Sequence, residues 1–201
     1  MNGKDDASLG RKKRRRQRRF VAISGFLLFT IGMAWFFELQ ATTTVILVRY
    51  ADQSNNFALS SGLSDAGQRR SQELARVLGD VDVVAGIDAI FVAPLERARK
   101  TGLPLAMLND APVYSIDDPS NEEALVLRIL TEFKGKIVLI ITEPEFIAPV
   151  IEEMHGSKKL PEIQDVEFDN LYIVSIPWFG KVKTLRLRYG VPFIAPPEAA
   201  E

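Results

Sequence analysis

Three apolar segments of the sequence are each followed by charged or phenolic side chains. These are Arg49 and Tyr50 after residues 44–48, Arg97 after residues 87–93, and Glu143 after residues 136–142. The apolar segments read as buried strands of one sheet. Because ligand sites collect at the carboxyl ends of strands in α/β sheets, we expect these side chains to line one pocket.

The chemistry open to these side chains is limited. Two guanidinium groups can hold an oxyanion through paired hydrogen bonds. A phenol has a pKa of about 10, so Tyr50 would need activation before it could act as a nucleophile. A carboxylate at Glu143 would repel a bound anion by roughly 4 kcal/mol at about 4 Å and an effective dielectric of about 20. We therefore expect an internal ion pair, in which Glu143 accepts from Arg49, Arg97 or both.

Composition excludes several classes of mechanism. The chain has no cysteine, which excludes disulfides, thiolate metal sites and cysteine nucleophiles. Its one histidine, His155, excludes any mechanism that needs two. The carboxylates show no spacing typical of a metal site, so neither a metal ion nor a cofactor is expected.

An uncharged segment, residues 20–37, follows a strongly basic N-terminus. A helix of that length spans about 27 Å, close to the hydrocarbon thickness of a bilayer. Residues 1–19 carry nine Lys or Arg against two Asp, and such charge stays on the cytoplasmic side. We predict a cytoplasmic tail (1–19), one transmembrane helix (20–37) and an extracytoplasmic domain, as in a periplasmic domain on a bacterial inner membrane.

Two other interpretations of the N-terminus are weaker. A cleaved signal peptide has an apolar region of about 7–15 residues and a small-x-small site, whereas this run is longer and Leu39-Gln40-Ala41 is a poor match. The basic run also resembles arginine-rich RNA-binding segments. Beside an apolar span, topology and attraction to anionic lipid explain it more simply, so no nucleic-acid partner is expected.

The remaining sequence reads as one domain over residues 41–194, with a disordered tail at 195–201. Strands are predicted over 43–49, 87–93, 113–116 and 136–142, helices over 64–79, 94–107, 120–133 and 144–154, and a closing hairpin over 171–177 and 181–188. Ser64 and Ser120 are the predicted N-caps. Alternating strands and helices predict a three-layer α/β/α sandwich with a mostly parallel sheet.

Several segments resemble the histidine phosphatase superfamily, which includes the cofactor-dependent phosphoglycerate mutases. The resemblance extends from Thr43 to Gly190 and is carried by residues 45–51, 63–68, 93–101, 137–142, 168–172 and 185–190. The family's first motif is a strand that ends in Arg-His-Gly or Arg-His-Ala. Here that strand ends in Arg49-Tyr50-Ala51, so the family's histidine is replaced.

The resemblance implies a role for each candidate site residue. In the family, one histidine attacks phosphorus, while a second histidine and two arginines hold the phosphoryl oxygens. Arg49 and Arg97 match the phosphate-binding arginines, Tyr50 stands at the nucleophile, and Glu143 stands at the second histidine. His155 lies too far along the chain to replace either one. The candidates for a family-type acid are Asp52, Asp117, Glu122 and Glu123.

Loss of both histidines favours a membrane-anchored pseudophosphatase that serves as a binding or interaction module. One alternative is an active phosphoryl-transfer enzyme, with Tyr50 as nucleophile or Glu143 directing a water molecule. Another is a structural subunit of a membrane complex. The expected partners are the membrane, a protein, and a weakly held anionic or phosphorylated ligand. Trp178 and Phe179, at the predicted hairpin tip, suit a partner, the membrane or simple packing.

Overall fold

The computed structural model describes residues 3–38, 42–52, 62–79 and 86–191. The chain forms two compact units, Met1–Gln40 and Ala41–Glu201. The disordered tail predicted at 195–201 lies outside the described residues.

The first unit is one helix, α1, from Gly3 to Glu38. Its segment Arg16–Phe36 is long and apolar enough to cross a bilayer. The side chains of this segment are exposed, as a helix that would face lipid requires. The Thr30 hydroxyl donates to the Phe26 carbonyl at 2.7 Å, which satisfies that polar group within the helix. Because α1 begins at Gly3, the basic residues and the apolar span form one continuous element.

The second unit is built on a six-stranded sheet. Its strands are β1 (Thr43–Arg49), β2 (Ala89–Val92), β3 (Val113–Ser115), β4 (Ile137–Thr142), β5 (Asn170–Ile176) and β6 (Lys183–Arg188), in the order β3-β2-β4-β1-β5-β6. The first four are parallel, β5 is antiparallel to β1, and β6 is antiparallel to β5. The predicted mostly parallel sheet and closing hairpin are therefore confirmed.

In the described part of this unit, four helices cover the two faces of the sheet: α2 (Asp65–Gly79), α3 (Glu96–Asn109), α4 (Glu122–Glu132) and α5 (Pro144–Glu153). Alternate residues of β1 point to opposite faces, as strand geometry requires. Ile46 and Val48 pack with α2 and α3 residues, while Val45 and Leu47 pack with α4 and α5 residues. The fold is therefore the predicted α/β/α sandwich.

Two helix starts differ from the sequence-based expectation. Ser64 caps α2 as predicted, since its hydroxyl accepts from the Gly67 N–H at 3.0 Å. Ser120 does not cap α4. The Asn121 side chain accepts from the Ala124 N–H instead, and the Ser120 hydroxyl donates to Asp118. Helix α3 begins at Glu96, two residues after Pro94, because residue 95 has extended backbone geometry (φ −127°, ψ 136°).

Candidate functional site

The four candidate side chains lie on segments that meet at one end of the sheet. We call this end, where β1, β2 and β4 finish, the carboxyl edge. Arg49 pairs in register with Thr142, the residue before Glu143. The Tyr50 N–H donates to the Thr142 carbonyl at 3.3 Å. Arg97 lies in the first turn of α3, just after β2. The expected convergence of three separate segments is thus present.

Arg49 is committed to the protein's own backbone. Arg49 is 8% exposed, and its Nη1 donates to the carbonyls of Gln164 at 3.1 Å, Asp165 at 2.8 Å and Glu167 at 3.4 Å. Its guanidinium carbon lies 4.1 Å from the centre of the Phe168 ring. The segment that leads into β5 therefore supplies both the acceptors and the aromatic ring that contact this side chain.

Tyr50 is buried beneath the second arginine. Tyr50 is 7% exposed, and the Arg97 guanidinium carbon lies 4.0 Å from its ring centre. This distance is well inside the range of a cation–π contact. Arg49 lies farther from the same ring, at 5.7 Å. Residue 50 thus packs as an aromatic platform beneath a cation.

A buried threonine fixes the chain just after Tyr50. The Thr101 hydroxyl accepts from the Ala51 N–H at 2.9 Å and donates to the Arg97 carbonyl at 2.7 Å. The Ser71 hydroxyl then donates to the Thr101 carbonyl at 2.9 Å, which ties α2 to α3. These bonds give Thr101, which lies in the segment 93–101 of the resemblance, a structural role: it positions the chain just after β1.

The next residue along, Asp52, is held by α2. Its carboxylate accepts from Arg70 Nε at 2.7 Å, and its main-chain carbonyl accepts from the Ser64 N–H at 3.0 Å. Gly67 packs directly against that carbonyl, where a side chain would collide with it. Asp52 therefore has a structural role, as the anchor of the loop between β1 and α2.

Glu143 takes a different position from the one expected. Its carboxylate makes no ion pair within 4 Å with any residue in the described ranges, so the predicted pairing with Arg49 or Arg97 does not form there. It precedes α5 and lines an open cavity of about 390 Å³ together with Asp118, Ser120 and Glu145. The acceptors of Arg49 are main-chain carbonyls, which carry no signature in the sequence.

A network of two buried carboxylates and two partly exposed arginines supports the segment that holds Arg49. Glu167 accepts from Arg186 and Arg188, both at 2.7 Å, and Asp169 binds Arg188 through both oxygens at 2.9 and 2.7 Å. The Asp169 carboxylate raises the pKa of Arg188. The sequence contains a signal for this network, since alternating acids just before β5 face alternating arginines in β6.

The remaining candidates lie outside this site. His155 is exposed beyond the end of α5, in the left-handed region at φ 60°. Glu122 and Glu123 form the first turn of α4. Asp117 is exposed beside a small cavity of about 100 Å³ that Arg128 also lines. None of these residues makes a described hydrogen bond or ion pair to Arg49, Tyr50 or Arg97.

The three-dimensional structure is similar to those of several phosphatases. No protein-family model matches the sequence, and no curated protein matches it. The protein histidine phosphatase SixA, solved with tungstate, aligns at a TM-score of 0.58 and 18% identity, over 72% of this chain and 96% of SixA. A mycobacterial glucosyl-3-phosphoglycerate phosphatase aligns at a TM-score of 0.56 and 13% identity, over 74% of this chain and 98% of its own.

A further structure, described as a mycobacterial hydrolase, aligns at a TM-score of 0.54 and 12% identity, over 77% of this chain and 93% of its own. At such identities the similarity shows the fold alone. These three solved structures are covered over 93–98% of their chains, so the similarity extends over nearly the whole of their fold. The unit from β1 to β6 therefore has the histidine phosphatase fold, as the sequence motifs predict.

Proposed function

We propose that this chain is a membrane-anchored pseudophosphatase, which keeps the histidine phosphatase fold as a binding module and carries out no phosphohistidine chemistry. The proposal rests on the contacts that Arg49 and Arg97 make within the protein. Arg49 donates to three main-chain carbonyls and Arg97 stacks on the Tyr50 ring, so both are engaged by the protein at the positions where the family holds phosphate.

Residue 50 itself supports the proposal. A histidine at this position could form a phosphoramidate near neutral pH, whereas a phenol requires a base to remove its proton. No histidine lies at the carboxyl edge, because the only one in the chain is His155. The carboxylates that could accept a proton are placed elsewhere: Asp52 is bound by Arg70, and Glu143 opens onto an acidic cavity.

The membrane anchor in this proposal is α1. An apolar helical segment from Arg16 to Phe36 follows directly on the basic residues, which favours a single span with a cytoplasmic N-terminus. The domain would then act on the other side of the membrane. Its binding partner in this proposal is a protein, with a phosphorylated or otherwise anionic ligand as a weaker occupant of the carboxyl edge.

A phosphatase assay on the purified full chain tests the lack of chemistry. We expect the wild-type chain to hydrolyse neither p-nitrophenyl phosphate nor a phosphohistidine peptide. The matched control is Arg99→Ala, which removes an exposed guanidinium on α3 and should behave as the wild type does. The same measurement is made on Tyr50→Phe and Arg49→Ala. Turnover by the wild-type chain that is lost in either variant, but kept in Arg99→Ala, would defeat the proposal.

Restoring both histidines tests whether the altered residues alone explain the inactivity. We expect the Tyr50→His/Glu143→His double variant to remain inactive, because Arg49 still donates to the carbonyls of residues 164–167. Binding of inorganic tungstate, measured by calorimetry, reports whether the arginines have been released. An active double variant that binds tungstate would show that the arginines are available after all.

Two outcomes would favour the alternative functions. Mass spectrometry that finds phosphate on Tyr50 after exposure to substrate would identify an active enzyme with a tyrosine nucleophile. Cross-linking in native membranes that recovers stoichiometric protein partners, with no ligand effect from Arg49→Ala, would identify a structural subunit instead.

A further inference from the structure

The β5–β6 hairpin ends in an exposed aromatic tip, residues 177–182. Trp178 is 54% exposed and Phe179 is 88% exposed. Gly180 follows at φ 114°, a conformation that favours glycine, so the backbone turns directly after the two aromatic rings. A tight turn that presents large apolar side chains to solvent has a cost in water, and this suggests that something covers them.

The register of the sheet places this tip beside the start of β1. Thr43, the first residue of β1, pairs with Ile176, the last residue of β5. The tip therefore lies at the end of the sheet opposite to the carboxyl edge, where the chain enters the domain. Along the chain, residues 39–42 lie between the end of α1 and the start of β1.

Lysines are concentrated at this same end. The sequence after residue 41 contains seven lysines, and six of them lie here: Lys134, Lys136, Lys158, Lys159, Lys181 and Lys183. Lys134 and Lys136 flank Gly135, whose N–H donates to the Thr43 hydroxyl at 2.9 Å. Ser157, next to Lys158, donates its N–H to the Thr184 hydroxyl at 2.9 Å. Lys100, the seventh, lies on α3 near the carboxyl edge.

Acidic side chains also lie at this end, among them Asp110 after α3 and Glu132 at the end of α4, which pairs with Arg128 at 3.3 Å. Asp88 pairs with Lys136 at 3.0 Å. Glu152 and Glu153 are exposed on the last turn of α5. This lysine-rich end contrasts with the whole of the chain beyond the basic tail, which carries more acidic than basic residues.

We propose that the hairpin tip and the lysines around it rest on an anionic lipid surface, with Trp178 and Phe179 in the headgroup region. The proposal depends on α1 being the membrane anchor proposed above. Aromatic rings favour the interface of a bilayer, and lysines near its surface are attracted by anionic headgroups. Lysine also suits a mobile layer of lipid headgroups better than a fixed partner, because its ammonium is a hydrated point charge without a directional fork.

The chain has two tryptophans, one in the anchor and one in the tip, so each region can be probed by its own fluorescence. Trp35 lies in the apolar part of α1, and Trp178 lies in the tip. We would reconstitute the full chain, as Trp35→Phe and as Trp178→Phe, in phosphatidylcholine vesicles that contain phosphatidylglycerol and lipids brominated at defined depths. In Trp35→Phe we expect Trp178 emission to be quenched at least twofold by lipids brominated near the headgroup and to be protected from aqueous iodide.

The other variant tests the anchor independently. In Trp178→Phe, Trp35 should be quenched by brominated lipid while iodide has little effect. If Trp35 is quenched by lipid but Trp178 is quenched only by iodide, the tip proposal is overturned and the anchor stands. If Trp35 is quenched only by iodide, the anchor itself is wrong, and the tip proposal fails with it.

Charge reversal tests the role of the lysines. In the Trp35→Phe background, Lys181→Glu/Lys183→Glu should lower the quenching of Trp178 by brominated lipid at least twofold, as should removal of phosphatidylglycerol. The matched control is Lys100→Glu, which should change nothing. Equal quenching in all of these samples would overturn the assignment of the surface to anionic lipid and would leave a protein partner as the alternative occupant.

Discussion

The two ends of the sheet differ in their positively charged residues: arginines lie at the carboxyl edge, and lysines lie at the end with the hairpin tip. At the carboxyl edge, arginines are bound by groups of the protein: Arg49 by three carbonyls, Arg70 by Asp52, and Arg188 by Asp169 and Glu167. At the hairpin end, lysines predominate, and Lys181 and Lys183 are exposed.

This difference follows from the shapes of the two side chains. A guanidinium is planar and presents several donors in fixed directions, so it is suited to hold fixed carbonyls and carboxylates. An ammonium on a flexible stem stays hydrated and contributes charge without fixed geometry. The arginines of the carboxyl edge are thus held by groups of the protein itself, whereas we propose that the opposite end of the sheet makes an external contact.

The tightest packing at the carboxyl edge should be the most sensitive to substitution. We expect Gly67→Ala to lower the free energy of unfolding by about 3 kcal/mol, because a Cβ there overlaps the Asp52 carbonyl and neither backbone can move easily. Urea denaturation of the full chain in detergent measures the change. The control is Gly62→Ala, whose Cβ meets only the flexible end of Lys100. Equal losses in the two variants would contradict the assigned packing.

One strand allows the two ends to be compared directly. In β6 we expect Arg188→Ala to cost about 2 kcal/mol, because it leaves the buried Asp169 without its bidentate partner. Arg188 is 42% exposed, which keeps the loss below that of a fully buried pair. Lys183→Ala, five residues away and exposed, should change stability by less than about 0.5 kcal/mol. Similar losses of unfolding free energy in the two variants would contradict the proposed difference between the two ends of the sheet.

Alkaline pH provides a smaller and more local probe of the carboxyl edge. Burial raises the pKa of Tyr189, with a further rise from Asp52 and Asp169 and an opposing effect of Arg70. The folded protein therefore keeps this proton when the unfolded chain, with a phenol pKa of about 10, releases it. Stability due to Tyr189 is complete below about pH 10 and should fall by about 1.4 kcal/mol per pH unit above it.

Tyr189→Phe should remove that part of the alkaline loss. The difference in unfolding free energy between the variant and the wild type, measured at pH 9 and pH 11, should grow in favour of the variant. The buried hydroxyl has no hydrogen-bond partner among the described residues, so its removal should cost little at neutral pH. A difference that stays constant with pH would show that Tyr189 ionises equally easily in both states.

Most of the fold could be read from the sequence because its signals are local. Residues 43–49 and 137–142 are continuous apolar runs, as strands buried on both faces require, and both are central strands. The N-cap of α2 is also predictable from the sequence, since Ser64 stands directly before the helix, where serine is a favoured cap. The start of α4 was placed one residue too early, because Ser120 and Asn121 are both good caps and only the local turn at Asp118 decides between them.

The site was less predictable, because its partners come from distant segments. The sequence predicted which strand ends meet, and thus placed Arg49, Tyr50 and Arg97 at the same edge. It could not predict what Arg49 binds. The acceptors lie 115–118 residues away along the chain and are main-chain atoms, so no residue type marks them. Glu143, the predicted carboxylate partner, has the charge that a partner of Arg49 needs. It lies just before α5, however, and lines a cavity with Asp118 and Glu145 instead.

The use of backbone oxygens by Arg49 has an evolutionary consequence. Every residue type supplies the same carbonyl, so no single substitution within 164–167 can take those acceptors away. A lineage that carries this arrangement would need an insertion, a deletion or a new path for the segment before β5 to free the arginine. In the proposed pseudophosphatase, the course of the main chain therefore holds Arg49 in place, and histidine at positions 50 and 143 would not free it.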